Sequence, residues 1–445
     1  MEQKRIVILG AGISGVGAAI LAKKQGFDVF VSDFGKISGN NKNLLKDEKI
    51  KFEEEKHTAK LILNADEIIK SPGIADKVAI IVSAREQNIP IISEIEFAGR
   101  YTNAKMICIT GSNGKTTTTE LTYHIYKNAG FNVAKAGNVG KSFAMQVAYE
   151  NYDYYVLELS SFQLDGMFEF KADVAILLNI TPDHLNRYDN VFKNYINSKF
   201  RITQNMTKDD IFIYCEDDEI ITKEIAKRNI LAKKFPFSVK NEVEEGAYKT
   251  LENIFININS KNFNMENSLL SLEGDHNIYN SMAAGISGLI EGISNQQLKR
   301  SFSNFTGVEH RLEKYIKVGG VQFINDSKAT NVNSVWYALQ SINDSIVLIM
   351  GGKEDGNNYS ALKDLVRRKV KAIVAMGIDN QKIINAFEDI AEVYDTNSME
   401  SAVNTAYKIA NDGEVVLLSP ACKSFDLFKN FEDRGLQFKN AVRNL

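Results

Sequence analysis

Short apolar runs separated by glycine turns and helix-period stretches recur along the whole chain and sort it into three segments. In the first, apolar runs at residues 5–9, 28–32 and 67–70 alternate with a helical stretch at 16–24, and Ile91-Ile92 closes the last unit. Strand-length runs joined by helical crossovers predict a parallel, doubly wound sheet. In the second segment, runs at 106–110, 154–159, 174–178 and 211–214 predict a central sheet. Phe255, Ile256, Ile258 and Phe263 fall instead in short alternating runs, which predict a small antiparallel β appendage. A helix rich in small residues (Ala283, Ala284, Gly285) is expected over 274–292, and the last segment repeats the βα rhythm with runs at 345–350, 372–376 and 414–418.

The expected class is therefore α/β with three domains. These are a Rossmann-like N-terminal domain at 1–94, a P-loop-type central ATPase domain with the β appendage at 95–306, and a Rossmann-like C-terminal domain at 307–445. A chain of 445 residues suits that count at roughly 150 residues per domain.

Composition narrows the function by exclusion. With 53 Lys and Arg against 56 Asp and Glu, the net charge of -3 gives no reason to expect nucleic acid or an anionic membrane surface as partner. The three cysteines, Cys108, Cys215 and Cys422, are far apart and include no CxxC pair, which argues against a disulfide framework or a structural zinc site and fits a reducing cytoplasm. No apolar run approaches the roughly 18 residues of a spanning helix, and the N-terminus lacks a secretory signal pattern, so no membrane insertion is expected.

Chemistry enters at residues 110–119, TGSNGKTTTT, between the apolar run 106–109 and a helical pattern. Gly111 and Gly114 allow a tight turn whose N–H groups converge, with Ser112 and Asn113 between them. Lys115 adds a point charge, Thr116 offers a hydroxyl to magnesium, and Thr117 continues the helix start. The arrangement predicts a nucleoside triphosphate site. Only two residues separate Gly111 from Gly114, where the standard P-loop has four before its Gly-Lys pair, so a motor or small GTPase is disfavoured.

A second phosphate signal, Gly10-Ala11-Gly12-Ile13-Ser14-Gly15, follows a strand and opens a helix, with Asp33 ending the next strand. Alone it reads as dinucleotide-binding. Because a helix N-terminus recognises phosphate and not nicotinamide, a chain with its own triphosphate loop is better served by a UDP- or NDP-bearing substrate here. Ser71-Pro72-Gly73 ends another strand and could line the same crevice. A dehydrogenase would leave residues 110–119 idle.

Weaker candidates stand at other strand ends. Glu158 closes the run 154–157 where a P-loop sheet places a magnesium-binding acid; a lone acid there is more often a solvated charge. His184, in Thr181-Pro182-Asp183-His184, could hold a cation or orient a phosphate, or be structural. Asn138 sits in a glycine-flanked loop that could equally be a plain turn, and Lys199 reads on its own as a solvent-facing helix lysine. Arg311 could meet a triphosphate as a planar charge.

Taken together and in this order, TGSNGKTTTT, ELSSFQL (158–164), TPDHLNRY (181–188), NDSKATN (325–331) and SPACKSFDLFKNFEDRG (419–435) resemble the Mur ligase family, over 10 to about 435. The last two motifs resemble the branch that adds D-glutamate. The resemblance implies an ATP-dependent amide synthetase, cytoplasmic and monomeric, joining D-glutamate to UDP-N-acetylmuramoyl-L-alanine through an acyl phosphate in peptidoglycan precursor synthesis. It implies UDP contacts at Ile13, Ser14, Asp33, Ser71, Pro72 and Gly73, and ATP contacts at Gly111 to Thr117, Asn138, Asn277, Arg311 and Asp326. It implies two magnesium ions held by Thr116, Glu158, His184 and Lys199, the last as a CO2-derived carbamate. Lys115, His184, Lys199, Arg311 and Lys328 would be catalytic, and Thr330, Lys353, Ser424, Phe425 and Phe431 would meet the amino acid. In Gly351-Gly352-Lys353-Glu354-Asp355 an acid, Asp355, stands about where many relatives carry a basic residue, and Lys353 is expected to take that role. After Asp33 the sequence Phe34-Gly35-Lys36 lacks the arginine of some relatives, so uracil or ribose contacts are expected to differ.

Overall fold

A computed structural model describes residues 3–272, 274–354 and 356–445. Asp355 thus lies outside the described residues. The chain folds into two compact units, residues 1–271 with 277–305, and residues 272–276 with 306–445.

The first unit carries two sheets. Its N-terminal sheet is parallel, in the order Lys51–Glu53, Asp28–Ser32, Arg5–Leu9, Glu67–Lys70, Ile91–Ile92. The order reverses beside Arg5–Leu9, which opens a crevice at the carboxyl ends of that strand and Glu67–Lys70. The helix Ile13–Lys24 follows the first strand directly and buries Val16 to Ala22, so the glycine loop is held between two fully packed elements.

The second sheet has nine strands, with Lys105–Thr110 between Val174–Leu177 and Tyr154–Glu158, and Val133–Gly137 at one edge. On the other side it continues through Ile211–Cys215 and Lys233–Ser238 to Gly246–Lys249, Asn253–Ile258 and Lys261–Glu266. The last two junctions are antiparallel. The predicted β appendage is therefore a hairpin extension of the central sheet itself. Its alternation is visible in burial: Ile254, Ile256 and Ile258 point inward while their neighbours are half-buried.

The second unit is a six-stranded sheet in the order Glu313–Val318, Val321–Asn325, Val415–Ala421, Ile346–Gly351, Val370–Met376, Glu392–Thr396. Only the first pair is antiparallel. Val415–Ala421 lies between strands that precede it in sequence on both sides, so the loops after Asn325, Gly351 and Ala421 leave the same sheet edge together. The sequence predicted three strands here; Glu313–Val318, Val321–Asn325 and Glu392–Thr396 were not singled out.

All three cysteines are free and buried. No helix among the described residues is long and apolar enough to cross a membrane.

Candidate active site

The loop after Lys105–Thr110 turns at Gly111 and enters the helix Lys115–Asn128 through Gly114, whose φ of 83° lies in the left-handed region. A Cβ on Gly114 would stand 2.5 Å from Asn280 Oδ1, so glycine is needed here on two counts. The loop is clamped from the neighbouring strand end. Ser112 N–H donates to Asn179 O at 2.9 Å, Asn113 N–H donates to Asn179 Oδ1 at 2.8 Å, and Asn179 Nδ2 returns a bond to Asn113 O at 3.1 Å. Ser112 Oγ donates to Thr181 O and accepts from Thr181 N–H, both at 2.9 Å, and lies 3.0 Å from the Tyr195 hydroxyl. Thr118 Oγ1 donates to Asn280 Oδ1 at 3.1 Å, and Asn280 in turn donates to Asn277 Oδ1 at 3.1 Å. The cradle is thus braced by hydrogen bonds from three other segments, the kind of preorganisation a phosphate site requires.

Two lysines meet at its floor. Lys115 Nζ folds back to donate to Gly111 O and Ser112 O, both at 2.8 Å. Lys199 Nζ donates to the same Gly111 O at 2.9 Å and to Thr110 Oγ1 at 3.1 Å. Lys199 is 2% exposed, which corrects its reading as a solvent-facing lysine. Its helix, Phe192–Phe200, buries Tyr195, Ile196, Ser198 and Lys199 on one face and so aims the amine inward. Burial, reinforced by the Lys115 charge, holds the Lys199 pKa well below the ordinary lysine range.

Glu158 ends the strand paired with Lys105–Thr110, in register with Ile109, and is 1% exposed. Its Oε1 accepts from Asn138 Nδ2 at 2.7 Å, and Asn138 N–H donates to the Glu158 carbonyl at 2.8 Å. Asn138 is therefore more than a turn residue. Glu158 Oε2 is buried with no hydrogen-bond partner. An orphaned, buried carboxylate oxygen near a phosphate cradle fits a hard divalent cation, which prefers oxygen donors. Thr116, 5% exposed, stands in the first turn of the cradle helix, where its hydroxyl is suited to the same ion. His184 adopts a left-handed φ of 51°, donates its backbone N–H to Asp183 Oδ1 at 2.9 Å, and its ring centroid lies 5.3 Å from that of Phe162. With the residues following Thr181, it belongs to a segment fastened to Ser112. Sequence reading missed Thr110, Asn179, Tyr195 and Asn280; the available signal was polar residues closing or facing otherwise apolar elements.

The glycine loop at 10–15 stands at the carboxyl end of Arg5–Leu9, with Asp33 and Ser71 against it. Asp33 Oδ2 accepts from Ala11 N–H at 2.6 Å and Oδ1 accepts from Gly35 N–H at 2.7 Å, so its first role is to shape the loop. Ser71 N–H donates to Leu9 O, and a Cβ on Gly10 would stand 2.5 Å from Ser71 Oγ, which sets Ser71-Pro72-Gly73 against the glycine loop. Ile13 is 67% exposed at the helix start, beside Ser14, and Phe34 is 74% exposed.

In the second unit, Asp326 is fully enclosed at the end of Val321–Asn325 and accepts from Leu312 N–H at 3.2 Å and Ser419 Oγ at 2.8 Å. Burial pushes its pKa up to about 6 against the pull of Arg311. Arg311 Nε is itself buried without a hydrogen bond. Lys328 stands 5.2 Å from the Phe431 ring centroid. Arg434, wholly buried, donates to Ser327 Oγ and O at 3.0 and 2.8 Å and to Cys422 O at 3.1 Å, tying together the two loops that carry Thr330 and Ser424. Lys353 N–H donates to Lys423 O at 2.8 Å, which brings the third loop to the same edge. Ser424 is buried, whereas Phe425 and Lys353 are exposed.

The chain thus carries, on three α/β sheets, a glycine-turn cradle suited to a nucleoside triphosphate and a separate glycine-helix crevice suited to a second phosphate-bearing molecule. The chain matches the MurD N-terminal domain over residues 5–80, the Mur ligase middle domain over 109–288 and the Mur ligase, glutamate ligase domain over 310–422. It is 57% identical to the UDP-N-acetylmuramoylalanine--D-glutamate ligase of Bacteroides fragilis over 99% of this chain and 100% of that one. The same name is borne by a relative from Porphyromonas gingivalis, 52% identical over 99% of this chain and 98% of the other. Among solved structures, the UDP-N-acetylmuramate-alanine ligase of Thermotoga maritima shares the fold with a TM-score of 0.65 at 18% identity, covering 100% of both chains. A pseudomurein peptide ligase type C from Methanothermus fervidus does so at 0.63 and 21%, covering 99% of this chain and 100% of that one. This chain belongs to the Mur ligase family.

Proposed function

We infer that this enzyme joins the amine of D-glutamate to the alanine carboxylate of UDP-N-acetylmuramoyl-L-alanine, using ATP and releasing ADP and phosphate in peptidoglycan precursor synthesis. The observation that carries the reading is the pairing, within one unit, of a clamped triphosphate cradle with a glycine-helix crevice, in a chain that matches relatives of that name along its whole length. We assign residues 1–94 to the UDP compound, 95–306 to ATP and 307–445 to the amino acid, in a cytoplasmic monomer.

A carboxylate resists attack by an amine, so the γ-phosphoryl group passes first to the alanine carboxylate, giving an acyl phosphate and ADP. The neutral amine of D-glutamate then adds to the acyl carbon, and the tetrahedral intermediate expels inorganic phosphate. Magnesium, when bound, neutralises charge on the transferring phosphoryl group. Thr116, Glu158 and His184 are the residues suited to hold it. Lys115, released from its own loop carbonyls, offers its charge to the β- and γ-phosphates. Ser71 to Gly73, Ile13 and Ser14 hold the UDP moiety, with the diphosphate at the helix N-terminus. Asn138, Asn277, Arg311 and Asp326 are assigned to the nucleotide, and Lys328, Thr330, Lys353, Ser424, Phe425 and Phe431 to D-glutamate. Holding the reactants in line can supply roughly 7 to 11 kcal/mol of the barrier.

Lys199 is assigned a carbamate. Its lowered pKa, caused by burial and the Lys115 charge, favours the uncharged, nucleophilic amine. Attack on CO2 forms a C–N bond and releases one proton, converting a buried base into a carboxylate-like oxygen donor for a second magnesium ion.

The acyl phosphate is tested with substrate carrying 18O in the alanine carboxylate. One labelled oxygen should appear in the released phosphate. Label confined to the amide product would exclude carboxylate phosphorylation.

A further inference from the structure

Arg187 lies three residues after His184 and reaches across to the wall of the glycine crevice. Its Nη1 donates to Gly73 O at 3.1 Å, and Nη2 donates to Pro72 O and Ile74 O, both at 3.2 Å. The guanidinium is seated on the Phe162 ring, 4.4 Å from its centroid. Lys70 Nζ donates to the same Ile74 carbonyl at 2.8 Å, which places two cations on one turn. The neighbouring Lys77 to Asp189 pair, at 2.5 Å, is exposed on both sides and contributes little. Arg187 is thus the principal polar tie between the turn at 71–74 and the segment at 181–188.

Each end of that tie is fixed to a different ligand site. The turn is fastened to the glycine loop by the Ser71 N–H to Leu9 bond and by the close approach of Ser71 to Gly10. The segment is fastened to the phosphate cradle by the reciprocal Ser112 and Thr181 bonds. Contacts therefore run without a break from Ser112 to Gly10, within the first unit.

We propose that Arg187 is a positioning residue that sets the turn at 71–74 against the glycine loop for the UDP-bearing substrate and couples that crevice to the occupancy of the phosphate cradle. A rigid planar fork can hold several carbonyls in one orientation, which a lysine ammonium on a flexible stem does less well. By occupying the carbonyl side of the turn, Arg187 and Lys70 also offset its negative ends next to a crevice that must accept a diphosphate. The proposal rests on the ligase reading above for the identity of the substrate.

The test uses Arg187→Ala and the milder Arg187→Lys in the full-length chain. Calorimetry measures affinity for UDP-N-acetylmuramoyl-L-alanine with and without a non-hydrolysable ATP analogue and magnesium, and steady-state assays give KM for each substrate. Arg187→Ala should weaken UDP-compound binding about ten-fold or more, equivalent to the loss of one charge-assisted bond, with Arg187→Lys between it and wild type. KM for D-glutamate should stay within about two-fold, and the ratio of UDP-compound affinities with and without nucleotide should move toward one. Unchanged UDP-compound affinity, or an equal change in all three KM values in both variants, would overturn the proposal. Because the affinities are read by binding, a wild type that binds the UDP compound without ligating it would sink the ligase reading and still leave this one decided.

Discussion

Lys115 and Lys199 donate to one and the same carbonyl oxygen, that of Gly111, at 2.8 and 2.9 Å. Two ammonium groups so placed repel one another, and the buried member gives way: Lys199 is desolvated first and pushed further by the Lys115 charge, which lowers its pKa and favours the uncharged amine. The relationship gives a lysine that looks inert in sequence the environment the proposed carbamate requires. Since the folded-state pKa lies below the unfolded one, protonation opposes folding, and the neutral form is lost as pH falls toward that lowered value.

A carbamate carbonyl should therefore appear by NMR when wild type is equilibrated with 13C-bicarbonate near neutral pH, and fade on acidification. Lys199→Met should lack the signal and lose ligation, with short carboxylic acids restoring activity in Lys199→Ala. Because the methionine variant removes a buried amine, its thermal midpoint is expected to equal or exceed that of wild type. An unchanged ligation rate in either variant would remove Lys199 from the mechanism.

Glu158 offers a second separable effect. Its Oε2 is the orphan, while Asn138 fixes Oε1. Glu158→Ala should reduce ATP-dependent turnover by about two orders of magnitude or more, the scale of a lost metal ligand worth several kcal/mol. Asn138→Ala should raise the magnesium concentration for half-maximal rate by roughly 10- to 100-fold, as loss of a ligand-orienting partner does. A magnesium titration of both variants checks this; superimposable curves would count against the assignment.

Asp326 makes stability depend on pH in the opposite direction to an ordinary paired carboxylate. Its folded pKa is about 6 against 3.8 for the unfolded chain, so between those values the native state keeps a proton that the unfolded chain releases. Unfolding free energy should fall as pH rises through this window, by about 3 kcal/mol for this group. Asp326→Asn should flatten that part of the profile and be the more stable protein above pH 6, while losing ligase activity. Denaturant melts from pH 4 to 7 give the comparison.

Gly15 tests the crevice. A Cβ there would stand 1.8 Å from Gly10 O, a backbone atom that cannot yield without moving the loop. Gly15→Ala should weaken UDP-compound binding by about ten-fold or more, from loop displacement of about 1.4 kcal/mol or greater, while binding of a non-hydrolysable ATP analogue stays within about two-fold.

Much of this was legible in the chain, and what was not has identifiable causes. The glycine turns at 10–15 and 111–114 carry their own backbone requirement, and the apolar runs around them are fully buried, so both phosphate sites stood out. The four threonines at 116–119 favour strand by β-branching, yet lie in a helix because Gly114 turns the chain and Leu121, Ile125 and Tyr126 bury its face. Lys199 was marked by the family resemblance alone; its own neighbours read as a solvent-facing helix, because burial of a lysine depends on which way its helix faces, a tertiary fact. Asn179 and Arg187 escaped for a related reason: their partners are 66 or more residues away and are backbone atoms, which leave no residue-type signal. The strand Glu313–Val318 is half-buried along its length and so lacked the apolar run that marks its neighbours.

The central claim is tested most directly by phosphate release from purified protein with ATP, magnesium and UDP-N-acetylmuramoyl-L-alanine, comparing D-glutamate with L-glutamate, D-alanine, L-lysine and meso-diaminopimelate. Release that requires both the UDP compound and D-glutamate is the predicted result. Release driven by a different amino acid, or none with any of them, would contradict it.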